Sequence, residues 1–166
     1  MTSRSRIVRY VVLASFLLPI PCLAMAPPTD SLAVDLAEHE WTHRLVLVFA
    51  PTEDHPALAE QMAMWSAERN GFEERKLRIY RLVGTGSGRF YRQPDAEGQP
   101  ISETSARGLR ERFGVPTDAF VVILVGLDGT EKKRHPEPLA TDDLFATIDA
   151  MPMRRAEMRK ENRGHQ

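Results

Sequence analysis

Cysteine is all but missing from this chain: among 166 residues only Cys22 carries a thiol. It stands in an N-terminal stretch with the three parts of an export signal. Arg4, Arg6 and Arg9 form a positive start, Tyr10 to Pro21 is a short apolar run, and small residues follow around Ala24 and Ala26. Cleavage after Ala24 is expected, because a cut after Ala26 would leave Pro27 next to the scissile bond. Acylation and retention of Cys22 is the competing reading. It is opposed by Pro21, which stands where a small residue should precede a lipid-bearing cysteine. Residues 25–166 then hold no cysteine, which excludes disulfides and thiolate chemistry even in an oxidising compartment.

Positive charge is not in excess either. The formal net charge is −1, and loss of the three N-terminal arginines makes the remainder more acidic. A general nucleic-acid binder is not expected from such a balance. No second long apolar run follows the first, so no transmembrane span is expected after residue 24. The expected product is exported, periplasmic or secreted, and long enough to bury one core.

What is present reads as alternating strands and helices. Thr29 to Glu40 carries Leu32 and Leu36 at helical spacing and forms a lead-in over residues 25–40. Leu45 to Ala50 is apolar on both faces, as an interior strand is. Pro51 ends it, and Pro56 suits a first helical position with Asp54 or His55 as the cap. Leu58, Met62 and Trp65 give that helix its apolar stripe, and Asn70-Gly71 is expected to stop it. Leu77 to Val83 is a second strand, and Gly84 to Gln99 a polar surface hairpin or excursion. Ser102 caps a helix that turns Ala106, Leu109 and Phe113 inward and ends at Gly114. Ala119 to Gly126 is the most apolar run after the signal and reads as a central strand. Asp128-Gly129 turns it back into Thr130 to Arg134. Thr141 caps a last helix with Asp142 and Asp143 in its first turn, and Leu144, Phe145, Ile148 and Met151 on its buried side. Residues 152–166 form a charged, basic tail in which Glu157 is spaced to meet Arg154. Met151, Met153 and Met158 offer either an adaptable contact surface or packing at the sheet edge. The order β-α-β, α, β-β-α predicts a mixed sheet with helices on both faces.

Three motifs invite chemistry. His39-Glu40-Trp41-Thr42-His43 is a literal H-E-x-x-H, which on a helix presents two zinc ligands and a general base. Its setting is poor, because His43 lies one residue from Arg44 and the first strand, so a helix would have to end inside the motif. Glu60 or Glu68 would have to supply a third ligand, and nothing marks either. Gly84-Thr85-Gly86-Ser87-Gly88 resembles a phosphate loop, but strand-like Arg89 to Arg92 follows where a helix start is required. The third is the loop between the first strand and helix, Pro51-Thr52-Glu53-Asp54-His55-Pro56. Glu53 and Asp54 there suit the positive end of a helix rather than redox chemistry.

That order of elements resembles the thioredoxin-like fold, in which this loop presents the redox cysteines; here Glu53-Asp54-His55 stands in their place. Phe113-Gly114-Val115-Pro116-Thr117 before an apolar strand resembles the segment carrying that fold's cis-proline. An ordinary trans proline before a strand is the alternative. A closer resemblance is to the domain of unknown function 4174 family, related to domains of animal extracellular proteins of the sushi-repeat and coiled-coil-domain-containing types. It rests on Trp41-x-x-Arg44 leading into LVLVFAP, on FGVPTDAFVVILVGLDGTEKKR and on LFATIDAMPMRRAEM. The resemblance implies a thioredoxin-like or peroxiredoxin-like fold over residues 41–151, export, and no catalytic residues to transfer. The expectation is a binding or interaction module for an unknown protein or peptide partner, with no cofactor. Its tentative ligand residues are Thr52, Glu53, Asp54, His55 and Pro116. A zinc hydrolase using His39, Glu40 and His43 is the alternative, and a thiol oxidoreductase would need Cys22 to survive processing.

Overall fold

The computed structural model describes residues 31–164, so the expected signal, its cleavage sites and Cys22 lie outside the described residues. The strands are β1 (Arg44–Ala50), β2 (Leu77–Val83), β3 (Ser87–Tyr91), β4 (Gln99–Pro100), β5 (Val121–Val125) and β6 (Glu131–His135). The helices are α1 (Pro56–Trp65), α2 (Arg69–Glu74), α3 (Glu103–Arg112), α4 (Thr141–Asp149) and α5 (Pro152–Gly164). One mixed sheet runs in the order β4-β3-β2-β1-β5-β6. β1 pairs parallel with β2 and antiparallel with β5, and β3 and β6 return antiparallel as hairpin partners.

The period-two alternation of β1 decides which helices cover which face. Val46, Val48 and Ala50 join Leu58, Trp65, Phe72, Leu144 and Ile148, so α1, α2 and α4 cover one face. Leu45, Leu47 and Phe49 join Ala106 and Leu109 of α3 and Leu36 of the lead-in on the other. All seven residues of β1 are buried, which is why its last six, Leu45 to Ala50, are apolar without alternation. The predicted α/β architecture, with helices on both faces, is what forms.

Local readings fared unevenly. The lead-in is not a regular helix over its described part: Leu32 bridges to Ile101, and a single 3-10 turn spans Leu36–His39. Asn70-Gly71 does not stop the first helix. Helix α1 already ends at Trp65, and α2 runs through both residues. Gly71 is needed inside α2 for space, since a Cβ there would lie 2.4 Å from the Phe145 ring. Ser102 does cap α3, accepting from the Ser105 N–H, and Gly114 beyond its end takes φ +58°. Thr141 does not cap α4. It is the first helical residue, behind Ala140, and its hydroxyl donates to the Met64 carbonyl at 3.4 Å.

The basic tail is a helix of its own, and Arg154 within it is 4 % exposed. Arg154 meets Asp149, Glu157 and Glu161, the Glu157 pair being the one its spacing predicts. Glu157 also receives Arg44 Nη1 at 3.3 Å, and Arg75 holds Asp149 at 2.6 Å. These pairs fasten α5 to the start of β1 and the end of α4. Met151 packs against the α1/α2/α4 core, while Met153 is exposed.

Candidate functional site

Two regions hold the residues that chemistry could use, and they lie at opposite ends of β1. At its C-terminal end Pro51 to His55 lead into α1. His55 occupies the cap position by its backbone, but neither it nor Asp54 caps the helix with its side chain. The Thr52 hydroxyl and a backbone N–H instead hold the exposed Asp54 carboxyl below its usual range. Glu53 turns to Arg81 of β2 at 3.1 Å. The His55 ring stacks flat on Phe120, with centroids 5.7 Å apart, and its Nδ1 is buried without a partner.

Pro116 follows a trans peptide, as do all described residues, which is the second of the two alternatives its sequence context left open. Its carbonyl accepts from Arg110 Nη1 at 2.7 Å. Arg110 Nη2 reaches the carbonyls of Ala50 at 3.3 Å and Leu82 at 3.5 Å. The guanidinium also lies 5.2 Å from the Phe49 ring centroid. One buried arginine thus joins the ends of β1 and β2 to the segment before β5, sharing the Ala50 carbonyl with the Gly84 N–H. Beside it lies a cleft of about 550 Å³, lined among others by Thr85, Arg107, Val115, Pro116 and Thr117. Thr52 to His55 do not line this cleft. The loop approaches it through Pro51, whose carbonyl would sit 3.5 Å from a Cβ at Gly84, the residue before Thr85.

The other region surrounds the H-E-x-x-H segment. The 3-10 turn ends at His39, and Trp41 takes φ +63°, so the His43 N–H closes a turn on the His39 carbonyl at 2.9 Å without continuing a helix. Glu40 turns toward Gly129, where a Cβ would come within 2.6 Å of its carboxylate. The imidazoles of His39 and His43 do meet, edge to face at 5.9 Å, but His39 Nε2 is taken by the Tyr80 hydroxyl at 2.7 Å. Among the described residues no three His, Cys, Asp or Glu side chains come together as metal ligands.

What these histidines do line is a cavity of about 410 Å³ over the α3 face of the sheet, with Tyr80, Phe90, Arg78 and Arg92. Burial, reinforced by Arg78, lowers the pKa of His39 against the opposing pull of Glu38. Burial followed by Arg78, His39 and Lys76 lowers that of His43 to about 4. Burial first and Glu38 second raise that of Tyr80. Both imidazoles are therefore neutral at pH 7. Strand register builds the cluster, since Tyr80 faces Phe90 across β2 and β3. Sequence reading singled out the two histidines only as an alternative zinc pair. The alternation Arg78-x-Tyr80 and Phe90-x-Arg92 was the signal for their actual neighbours.

The titration has a direct consequence. The unfolded chain binds protons at these histidines near pH 6.5, and the folded chain does so only near pH 4 at His43. Their contribution is complete above pH 6.5 and is lost as the pH falls toward 4. The urea midpoint should drop over that interval, and His43→Gln should flatten the drop. An unchanged slope in the variant would show that His43 titrates normally.

The family model described as "Domain of unknown function (DUF4174)" matches residues 35–157, the greater part of the chain. The chain belongs to the DUF4174 family. Coiled-coil domain-containing protein 80 of Danio rerio is 29 % identical over 133 residues, covering 74 % of this chain and 15 % of that protein. Sushi repeat-containing protein SRPX2 of Xenopus laevis is 24 % identical over 106 residues, covering 64 % of this chain and 22 % of the relative. The chain therefore spans less than a quarter of either relative's length. Among solved structures, a reduced 2-Cys peroxiredoxin of Plasmodium vivax superposes with a TM-score of 0.54 at 14 % identity, over 75 % of this chain and 85 % of that one. At such identity the likeness shows the fold alone: this DUF4174 domain is thioredoxin-like.

Proposed function

We propose that this chain is an exported, thioredoxin-like binding module that works without a thiol. Its partner is a protein or peptide received at the C-terminal end of β1, across the Pro51–His55 loop and the cleft beside Pro116. The observation that carries this reading is the cleft itself. It stays open at the end of the sheet where open α/β folds bind ligands, next to a loop with no redox group. Its lining mixes apolar Val115 and Pro116 with Arg107, Arg110, Glu111 and two threonines, a mixed apolar and charged surface suited to a polypeptide. Removal of the first 24 residues and residence in the periplasm or outside the cell belong to the same proposal. They fit the absence, among the described residues, of any helix long and apolar enough to cross a membrane.

The test is a comparison of partner capture by the wild-type chain and by a Glu53→Ala, His55→Ala, Pro116→Ala variant. The reading expects partners recovered from the exported fraction to be lost by the variant while its fold is retained. Equal recovery of every partner would remove this end of the molecule as the binding surface.

A further inference from the structure

The cavity at the opposite end of β1 is not needed for peptide binding beside Pro116, and its chemistry is of another kind. Its floor is set by sheet register. Ile79 pairs with Tyr91 and Tyr80 with Phe90 across antiparallel strands, so Arg78 and Arg92 are cross-strand neighbours one step further along. Like charges in that relation are destabilising unless something neutralises them. Arg78 Nη1 donates to two carbonyls, Leu77 at 3.0 Å and Arg92 at 3.1 Å. Among the described residues neither arginine has a carboxylate within ion-pair distance.

A second arginine pair in the same hairpin is handled differently. Arg81 stands directly opposite Arg89 on the other face of the sheet, and there Glu53 sits 3.1 Å from Arg81. The chain neutralises one cross-strand pair with its own acid and leaves the other facing a cavity.

We propose that this cavity binds a small organic carboxylate, with Arg78 and Arg92 receiving the oxyanion and the rings of Tyr80, Phe90 and His39 receiving the organic body. Guanidinium groups match an oxyanion's planar, two-pronged geometry. The three rings form a continuous wall: Tyr80 and Phe90 lie 5.0 Å apart by centroid, and His39 lies 5.8 Å and 6.0 Å from them. A volume of about 410 Å³ is that of a small-molecule pocket. Neutral imidazoles let His39 and His43 donate or accept hydrogen bonds without adding charge. Asp35 and Glu38 also line the cavity. Asp35 Oδ1 is spent on the Ala37 N–H at 2.9 Å, whereas Glu38 acts on His39 and Tyr80 and opposes an anion, which the two guanidinium groups must outweigh.

The full chain is titrated with benzoate, inorganic phosphate and benzylamine while the ring resonances of His39 and His43 are followed by NMR. Benzoate should shift both rings saturably in the millimolar range or below. Arg92→Gln, at an exposed position with no ion pair to lose, should weaken that binding about tenfold, as expected for loss of one charge-assisted hydrogen bond. Phosphate moving the same resonances, again more weakly in Arg92→Gln, also supports the oxyanion seat. The proposal fails if benzoate leaves both rings unmoved. It fails equally if Arg92→Gln binds as tightly as wild type, or if benzylamine binds as well as benzoate, which would mean that Asp35 and Glu38 govern the cavity. These outcomes are independent of peptide capture beside Pro116.

Discussion

Trp65→Ala should cost about 4 kcal/mol of folding stability, the largest loss expected of any single truncation in this chain. Trp65 closes α1 with no solvent exposure and packs on Phe72 of α2 with ring centroids 5.5 Å apart. It therefore holds the break between the two helices against the sheet. Removing it opens a large cavity on the α1/α2/α4 face, and a domain of this size has only ~5–15 kcal/mol of stability to lose. Trp65→Phe should be far milder. The indole Nε1–H is buried without a partner, so phenylalanine removes an unsatisfied donor while keeping most of the volume. Urea unfolding checks both: the midpoint should fall steeply for alanine and slightly for phenylalanine, with slopes unchanged. A loss below about 1 kcal/mol for alanine would mean that α1 is not anchored as described.

Arg44→Ala should cost about 3 kcal/mol, and Arg44→Met much less. The Arg44 side chain is 1 % exposed, and only Nη1 is engaged, with the Arg75 carbonyl at 3.0 Å and Glu157 at 3.3 Å. Its Nε and Nη2 are buried without partners. Alanine leaves a void under α5 and strips Glu157 of its most buried cation. Methionine keeps the stem's volume and removes two unsatisfied donors, while Arg154 and Lys76 remain near Glu157. The same urea experiment separates the two substitutions. Equal losses for alanine and methionine would show that the charge of Arg44, not its packing, secures α5.

Both residues illustrate what the chain discloses locally and what it withholds. The strand bounds Leu77–Val83 and the Ser102 cap were legible because each depends on neighbours within a few positions. Arg44 and Arg154 belong to the segments that carry the family resemblance, Trp41-x-x-Arg44 and MPMRR. Helical spacing reveals the Arg154–Glu157 pair, but Glu157 is 113 residues from Arg44, and no spacing could reveal that link. Gly71 read as a stop signal because glycine usually ends a helix. Here the approach of Phe145, from a helix far along the chain, is what requires it.

The candidate sites divide in the same way. The thiol-free loop was evident from composition, but Glu53 serving Arg81 rather than α1 required the neighbouring strand. The H-E-x-x-H alternative needs both histidines on one face of a helix. Here the backbone turns at Glu40 and Trp41. The two histidines find a tyrosine and two arginines instead, through the β2–β3 register.

The central claim is that this thioredoxin-like domain binds polypeptide beside Pro116 without thiol chemistry. Its most direct test is selection of a random peptide library on the full-length Cys22→Ser chain, followed by amide-shift mapping of the enriched peptide. The account predicts enrichment, with shifts concentrated at Thr85, Arg107, Val115 and Thr117. Failure to enrich any peptide without Cys22, or shifts confined to other faces of the sheet, would contradict it.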